Sequence, residues 1–140
     1  VSRQPVFWKV RVWDGHDEAS PWSAIESFEM GILTPEGWQG RWIGHPRGRT
    51  ERDHAVPAPY FRKKIFLPSE VVRGRVYISG LGFNELIVNG NKVGDAVLAP
   101  GFTRYDQTVL YQTFDITQAL RRGENVFAVV LGNGWYNTFT

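Results

Sequence analysis

Cysteine is absent from this 140-residue chain, which excludes disulfides and thiolate metal sites. That absence leaves the compartment open, since a reducing cytoplasm and an exported setting both accommodate it. Blocks of like charge are also missing. The formal net charge is +2 and the basic residues are scattered, so nothing would track a phosphate backbone and no nucleic-acid role is expected. No apolar run approaches the roughly 18 residues of a membrane helix, and Val1-Ser2-Arg3-Gln4-Pro5 is not a signal peptide, so no membrane partner is expected. The chain has no initiating Met, so it is expected to be an excised or processed piece. His16, His45 and His54 lack metal-ligand spacing, so they read as solvated loop residues.

Aromatic residues are plentiful. They make up 14% of the chain, with 6 Trp, within an ordinary globular composition of 42% hydrophobic and 21% charged residues. Large aromatics either fill a core or form a flat platform, and composition does not separate the two.

The patterning is that of short strands. Val6, Trp8, Val10 and Val12 alternate with Phe7, Lys9, Arg11 and Trp13, as in a half-buried strand, and a second strand over Ser23 to Met30 would close a hairpin. Thr34-Pro35-Glu36-Gly37 is the best candidate boundary, and residues 44 to 59 read as a long exposed loop. Strands are then predicted at Tyr60 to Leu67, Arg73 to Ser79, Leu86 to Val88, from Lys92-Val93, Tyr111 to Ile116 and Val126 to Leu131. Asn89-Gly90 suits a type I′ turn, where both central residues need positive φ. Asp115 or Thr117 would cap a single helical turn before Gly123. Val126 to Leu131 is apolar on both faces, as a central strand would be. Frequent Gly and Pro with almost no helix predict an all-β chain, an antiparallel jelly-roll β-sandwich preceded by a β-hairpin.

A series of motifs in order points to a family. Phe7-Trp8-Lys9-Val10-Arg11-Val12-Trp13-Asp14, Ser20-Pro21-Trp22-Ser23 and Phe28-Glu29-Met30-Gly31 precede Trp38-Gln39-Gly40-Arg41-Trp42-Ile43-Gly44. Tyr77-Ile78-Ser79-Gly80-Leu81-Gly82, Val88-Asn89-Gly90, Leu98-Ala99-Pro100-Gly101 and Leu131-Gly132-Asn133-Gly134-Trp135-Tyr136 follow. Together they resemble the N-terminal region of bacterial α-L-rhamnosidases, glycoside hydrolase family 78. The resemblance implies that residues 1–33 are the closing strands of a fibronectin type III-like domain. Residues 34–140 would then be the family's jelly-roll N-domain, cut at its C-terminal end. It implies a parent enzyme that removes terminal α-L-rhamnose with inversion, using carboxylates of a helical barrel further along. No catalytic residue carries over to this chain, so the chain alone is expected to be inactive.

An inverting glycosidase needs two carboxylates about 6.5 to 9.5 Å apart. Asp95 and Asp115 read as turn and cap residues, while Asp106 suits either a turn or a sugar contact. Sugars are held by an aromatic face and fixed polar groups. The substrate-binding candidates are therefore Tyr105, Asp106, Asn133, Trp135 and Tyr136, although Trp135 reads equally as a plug of the sandwich end. Trp8, Trp13, Trp22, Trp38 and Trp42 read as core or interdomain packing residues. No cofactor is expected; oxygen ligands around Tyr105, Asp106 and Asn133 leave calcium as an option. The expected partners are a rhamnose-containing glycoside or polysaccharide and other domains of the parent enzyme. Exposed edges at two cut ends would also favour self-association.

Overall fold

The computed structural model describes residues 1–44 and 58–137. Most of the long loop predicted over residues 44 to 59, including His45 and His54, lies outside the described residues. The chain divides into two compact units, Val1–Gly44 and His45–Thr140. Among the described residues there are eight strands, every pairing is antiparallel, and the helical segments are three single 3₁₀ turns. No helix there is long and apolar enough to cross a membrane.

In the first unit β1 (Pro5–Trp8) pairs with β2 (Glu26–Glu29), with Val6 opposite Phe28. Both strands are shorter than the alternation predicts, because Ser20 and Ser23 take over the pairing beyond Trp8. Ser23 N–H donates to the Val10 carbonyl at 2.8 Å, and Val10 N–H donates to Ser23 Oγ at 2.9 Å. Ser20 repeats the arrangement with Val12, at 2.9 and 3.2 Å. Trp22, between the two serines, lies under Lys9 Nζ at 4.3 Å and Arg11 Cζ at 4.7 Å, both within cation–π range. A net hydrogen bond is worth about 1 kcal/mol. Replacing both Ser20 and Ser23 by Ala is therefore expected to lower this unit's stability by about 2 kcal/mol, measured as a shift of its thermal midpoint. No shift would mean that the serine hydroxyls are incidental.

Trp8, Trp13, Trp22 and Trp42 are exposed in this chain, so within it they do not form a core; the alternative expectation, packing against other domains, concerns surfaces outside it. Among the described residues of this unit, the two-stranded ladder has no second sheet packed on it.

The second unit holds two sheets. The larger has the order β3-β8-β5-β6, from β3 (Tyr60–Leu67), β8 (Gly123–Gly132), β5 (Phe83–Val88) and β6 (Asn91–Lys92). The smaller pairs β4 (Arg75–Ser79) with β7 (Tyr111–Asp115). Asn89 and Gly90, at φ 51° and 90°, form the β5–β6 turn that their sequence demands. Alternate residues of each sheet meet in the core. Leu86, Val88 and Ile116 are its buried centre, with Phe127 and Val129 of β8 and Val76, Ile78 and Phe114 of the β4–β7 pair packed around them. On the outer face of β8, Val126, Ala128 and Val130 stay half-exposed beside Ile87 of β5. They lie between the ion pairs Lys64–Glu124, at 2.9 Å, and Lys92–Glu85, at 2.6 Å.

The end of the sandwich holding the β5–β6 turn is fixed by two asparagines. Asn125 is fully buried; its Oδ1 accepts from Asn89 Nδ2 at 2.9 Å and Arg121 N–H at 3.0 Å. Its Nδ2 donates to the carbonyls of Arg121 at 2.6 Å and Gly123 at 3.1 Å. Asn89 in turn accepts from Val126 N–H and donates to the Ala119 carbonyl, at 2.9 and 2.8 Å.

Candidate functional site: an aromatic cluster on two loops

The opposite end of the second unit carries the loops that hold most of the sequence candidates. After β6 the chain runs beside β5. Val93 N–H donates to the Leu86 carbonyl, and Asn84 N–H donates to the Ala99 carbonyl, each at 2.9 Å. The loop then folds into a tight turn, in which the N–H groups of Gln107 and Thr108 donate to the Arg104 carbonyl at 2.9 Å. Thr103 Oγ1 closes it by donating to the Thr108 carbonyl at 2.6 Å. Tyr105 and Asp106 form the top of this turn.

The second loop leaves β8, the neighbour of β5 on its other side. It stays low because two glycine backbones touch. A Cβ on Gly134 would lie 2.9 Å from Gly82 Cα, and one on Gly82 would lie 2.8 Å from the Gly132 carbonyl oxygen. Both distances are shorter than real Cβ atoms tolerate, so only glycine lets the 3₁₀ turn Trp135–Asn137 settle against the start of β5.

The two loops meet through their rings. Tyr105 and Tyr136 pack edge to face at 5.6 Å between ring centroids, and Phe102 and Tyr105 do the same at 5.6 Å. Phe102 and Trp135 are tilted at 6.0 Å. These are favourable aromatic separations, worth roughly 0.5 to 1.5 kcal/mol per pair beyond burial. Trp135 is 67% and Tyr136 58% exposed. Trp135 thus presents a face to solvent and is not a plug of the sandwich end.

Of the five sequence candidates, Tyr105, Trp135 and Tyr136 are brought into one cluster. Asp106 sits beside Tyr105, but both of its oxygens accept from Arg104, Nε to Oδ1 and an Nη to Oδ2, each at 3.0 Å. The carboxylate that a calcium ion would use is therefore already matched with a cation. Among the described residues no group of three His, Asp or Glu side chains is placed to hold a metal. Asn133 is exposed at the start of the second loop. Sequence reasoning missed Phe102, which joins the two halves, and Arg104, which neutralises Asp106. Phe102 carried the same signal as Tyr105, a large ring just after Pro100-Gly101.

A groove of about 700 Å³ lies at the other end, lined by Arg73, Arg75, Lys92, Asp115, Thr117 and Gln118 among others. Charged groups along it are partnered within the chain. Arg75 is ion-paired with Asp115, and Lys92 with Glu85. Neither Asp115 nor Thr117 takes the capping position of the turn Thr117–Ala119, which falls to Ile116 and carries no side-chain cap; Asp115, one residue further out, accepts from Thr117 N–H at 2.9 Å. Hydrogen bonds from the Thr117 hydroxyl and N–H, and then Arg75, hold its carboxyl well below the ordinary 3.8. A depressed carboxyl contributes stability that is present above its unfolded value and is lost as pH falls through the folded one. Between about pH 4 and pH 2 the wild-type chain should therefore lose stability more steeply than Asp115→Asn, as read from thermal midpoints. Parallel curves would remove Asp115 from the acid response. The groove is an end closed by its own ion pairs, whereas the aromatic end presents ring faces to solvent.

Known proteins bear on this directly. Residues 69–140 match the family described as the α-L-rhamnosidase N-terminal domain, and residues 1–34 match the Rha78A-like, N-terminal immunoglobulin domain. Two α-L-rhamnosidases of Formosa agariphila are similar in sequence. One is 35% identical over 98% of this chain and 15% of its own length, the other 40% identical over 93% and 16%. Among solved structures, the α-L-rhamnosidase of Dictyoglumus thermophilum superposes with a TM-score of 0.87 at 40% identity, over 97% of this chain and 17% of that one. The α-L-rhamnosidase of Aspergillus terreus gives 0.88 at 34% identity, over 97% and 16%. The chain thus spans about one-sixth of the length of the relatives it matches. With the family's domain covering residues 69–140 and the same fold recurring in its solved members, this chain belongs to the α-L-rhamnosidase N-terminal domain family.

Proposed function

We propose that this chain is a non-catalytic part of an α-L-rhamnosidase that helps recognise terminal α-L-rhamnosyl groups through the aromatic end of its second unit. The parent enzyme would hydrolyse α-L-rhamnosides with inversion on carboxylates elsewhere in its sequence. In this reading residues 1–33 are the closing strands of a fibronectin type III-like domain, and residues 34–140 form a jelly-roll N-domain. The observation that carries it is the meeting of Phe102, Tyr105, Trp135 and Tyr136 from loops about thirty residues apart, with Trp135 and Tyr136 exposed. A 6-deoxyhexose offers a methyl group and C–H faces to such rings, and hydroxyls to the polar groups beside them.

Titration of the chain with L-rhamnose tests this, following Trp fluorescence. A saturable change with a half-point at or below roughly tens of millimolar supports sugar recognition, the range expected for a small, partly open site. A flat response supports a second reading, in which the domain is a scaffold that packs against other domains of the parent. The half-exposed apolar stripe of Ile87, Val126, Ala128 and Val130 favours that alternative. Turnover of an aryl α-L-rhamnoside by this chain alone would contradict both readings.

A further inference from the structure

Two Asn-Gly pairs stand in this chain, Asn89-Gly90 and Asn133-Gly134, and the fold treats them oppositely. Asparagine before glycine is the pairing in which a backbone nitrogen most readily attacks the side-chain amide, because glycine has no Cβ to shield that nitrogen or restrict its rotation. At Asn89 the fold opposes the attack. Its Nδ2 donates to the Ala119 carbonyl at 2.8 Å and to Asn125 Oδ1 at 2.9 Å, while its Oδ1 accepts from Val126 N–H at 2.9 Å. Its own N–H donates to the Val126 carbonyl at 2.8 Å, and a φ of 51° sets it in the β5–β6 turn. Crowding plays no part, since a Cβ on Gly90 would meet nothing within 4 Å.

Asn133 stands outside the ladder. The pairing of β8 with β5 ends at Gly132, opposite Phe83, and the 3₁₀ turn begins only at Trp135, so Asn133 and Gly134 belong to no regular element. Asn133 is also exposed, and water and hydroxide reach it.

We propose that Asn133 is a site of spontaneous deamidation and that the change releases the aromatic end. Hydroxide takes the proton of Gly134 N–H, and the nitrogen bonds to Asn133 Cγ as the Cγ–Nδ2 bond breaks; Nδ2 takes a proton from water and leaves as ammonia. The succinimide so formed adds one water. Opening at Cγ gives aspartate, whereas opening at the Asn133 main-chain carbonyl gives isoaspartate, whose backbone runs through Cβ and Cγ and is one atom longer. Gly134 has no slack for that atom. Its backbone rests on β5 so closely that a Cβ would lie 2.9 Å from Gly82 Cα and 3.5 Å from Phe83 N. A longer chain just before it lifts the loop, and Trp135 and Tyr136 leave their contacts with Phe102 and Tyr105.

The experiment incubates the 140-residue chain for days in mildly alkaline buffer, with and without urea, and maps both Asn-Gly pairs by proteolysis and mass spectrometry. Enzymatic methylation of isoaspartate gives a second readout. In the folded chain Asn133 is expected to convert about tenfold or more faster than Asn89, whose hydrogen bonds have to open first. In urea the two rates should approach each other, because the fold that protects Asn89 is gone. The near-UV circular dichroism of the folded chain should decay in step with isoaspartate at position 133, and Asn133→Gln, whose longer side chain closes the ring poorly, should keep its spectrum over the same period. Equal rates in the folded chain, or an intact Asn133 there while the urea sample converts, would overturn the assignment. Conversion with an unchanged near-UV spectrum would overturn its coupling to the rings.

Discussion

Replacing Asn125 by Leu is expected to lower the stability of the second unit by about 3 kcal/mol, more than an exposed substitution of similar size would. The side chain is fully buried and uses both ends of its amide, accepting from Asn89 Nδ2 and Arg121 N–H and donating to the carbonyls of Arg121 and Gly123. Leucine fills a similar volume but answers none of these groups. Each buried group left unpaired costs roughly 1 to 3 kcal/mol; Arg121 is exposed, so water recovers part of the loss there. Asn125→Asp separates hydrogen bonding from shape. It keeps the acceptor for Asn89 and Arg121 but turns a carboxylate oxygen toward two carbonyls, so it should be no milder than leucine at neutral pH. Urea unfolding followed by far-UV circular dichroism measures both variants. A loss under about 1 kcal/mol in either would show that the network is dispensable.

That network also marks where the sequence stopped being readable. Tyr60 to Leu67 forms β3 as its apolar pattern predicts, and Asn89-Gly90 makes its turn, because both signals are local. Leu86 to Val88 proved to be the second half of a strand beginning at Phe83. Asn84 and Glu85 hid that start, being polar residues in a segment whose backbone partners lie almost fifty residues away on β8. Asn125 was invisible for the same reason. Nothing near it says that an asparagine ahead of an apolar strand will be enclosed by the Asn89 turn and the Arg121 backbone. At the aromatic end the sequence could nominate Tyr105, Trp135 and Tyr136 separately from loop composition. Their meeting depends on β8 and the loop after β6 lying on either side of β5, which is a property of strand order. For the tryptophans of the first unit, alternation indicates a face without showing what covers it, and within this chain they stay exposed.

Gly134→Val is expected to dismantle the aromatic end while leaving the core of the unit in place. At this position the obstruction is backbone: a Cβ would lie 2.9 Å from Gly82 Cα, 3.4 Å from its carbonyl carbon and 3.5 Å from Phe83 N. None of these can rotate away, so the loop has to lift from β5, and Trp135 and Tyr136 lift with it. Overpacking of this kind costs about 1 to 3 kcal/mol, and the contacts Phe102–Trp135 and Tyr105–Tyr136 are lost together. Near-UV circular dichroism should therefore change strongly with far-UV signal retained, and any L-rhamnose response should weaken by tenfold or more. Gly101→Ala is the matched control on the other loop, because its Cβ would meet only Leu110 Cδ1, at 3.8 Å. That variant should keep its stability within about 0.5 kcal/mol and preserve the near-UV spectrum. If Gly134→Val kept the wild-type near-UV spectrum, the ring contacts would not depend on the Gly82–Gly134 approach. If Gly101→Ala lost the spectrum as fully as Gly134→Val, loop disturbance in general, and not the glycine contact, would be responsible. The two substitutions thus test whether a pair of side-chain-free residues, far apart in sequence, is what holds the ring faces at one end of the sandwich.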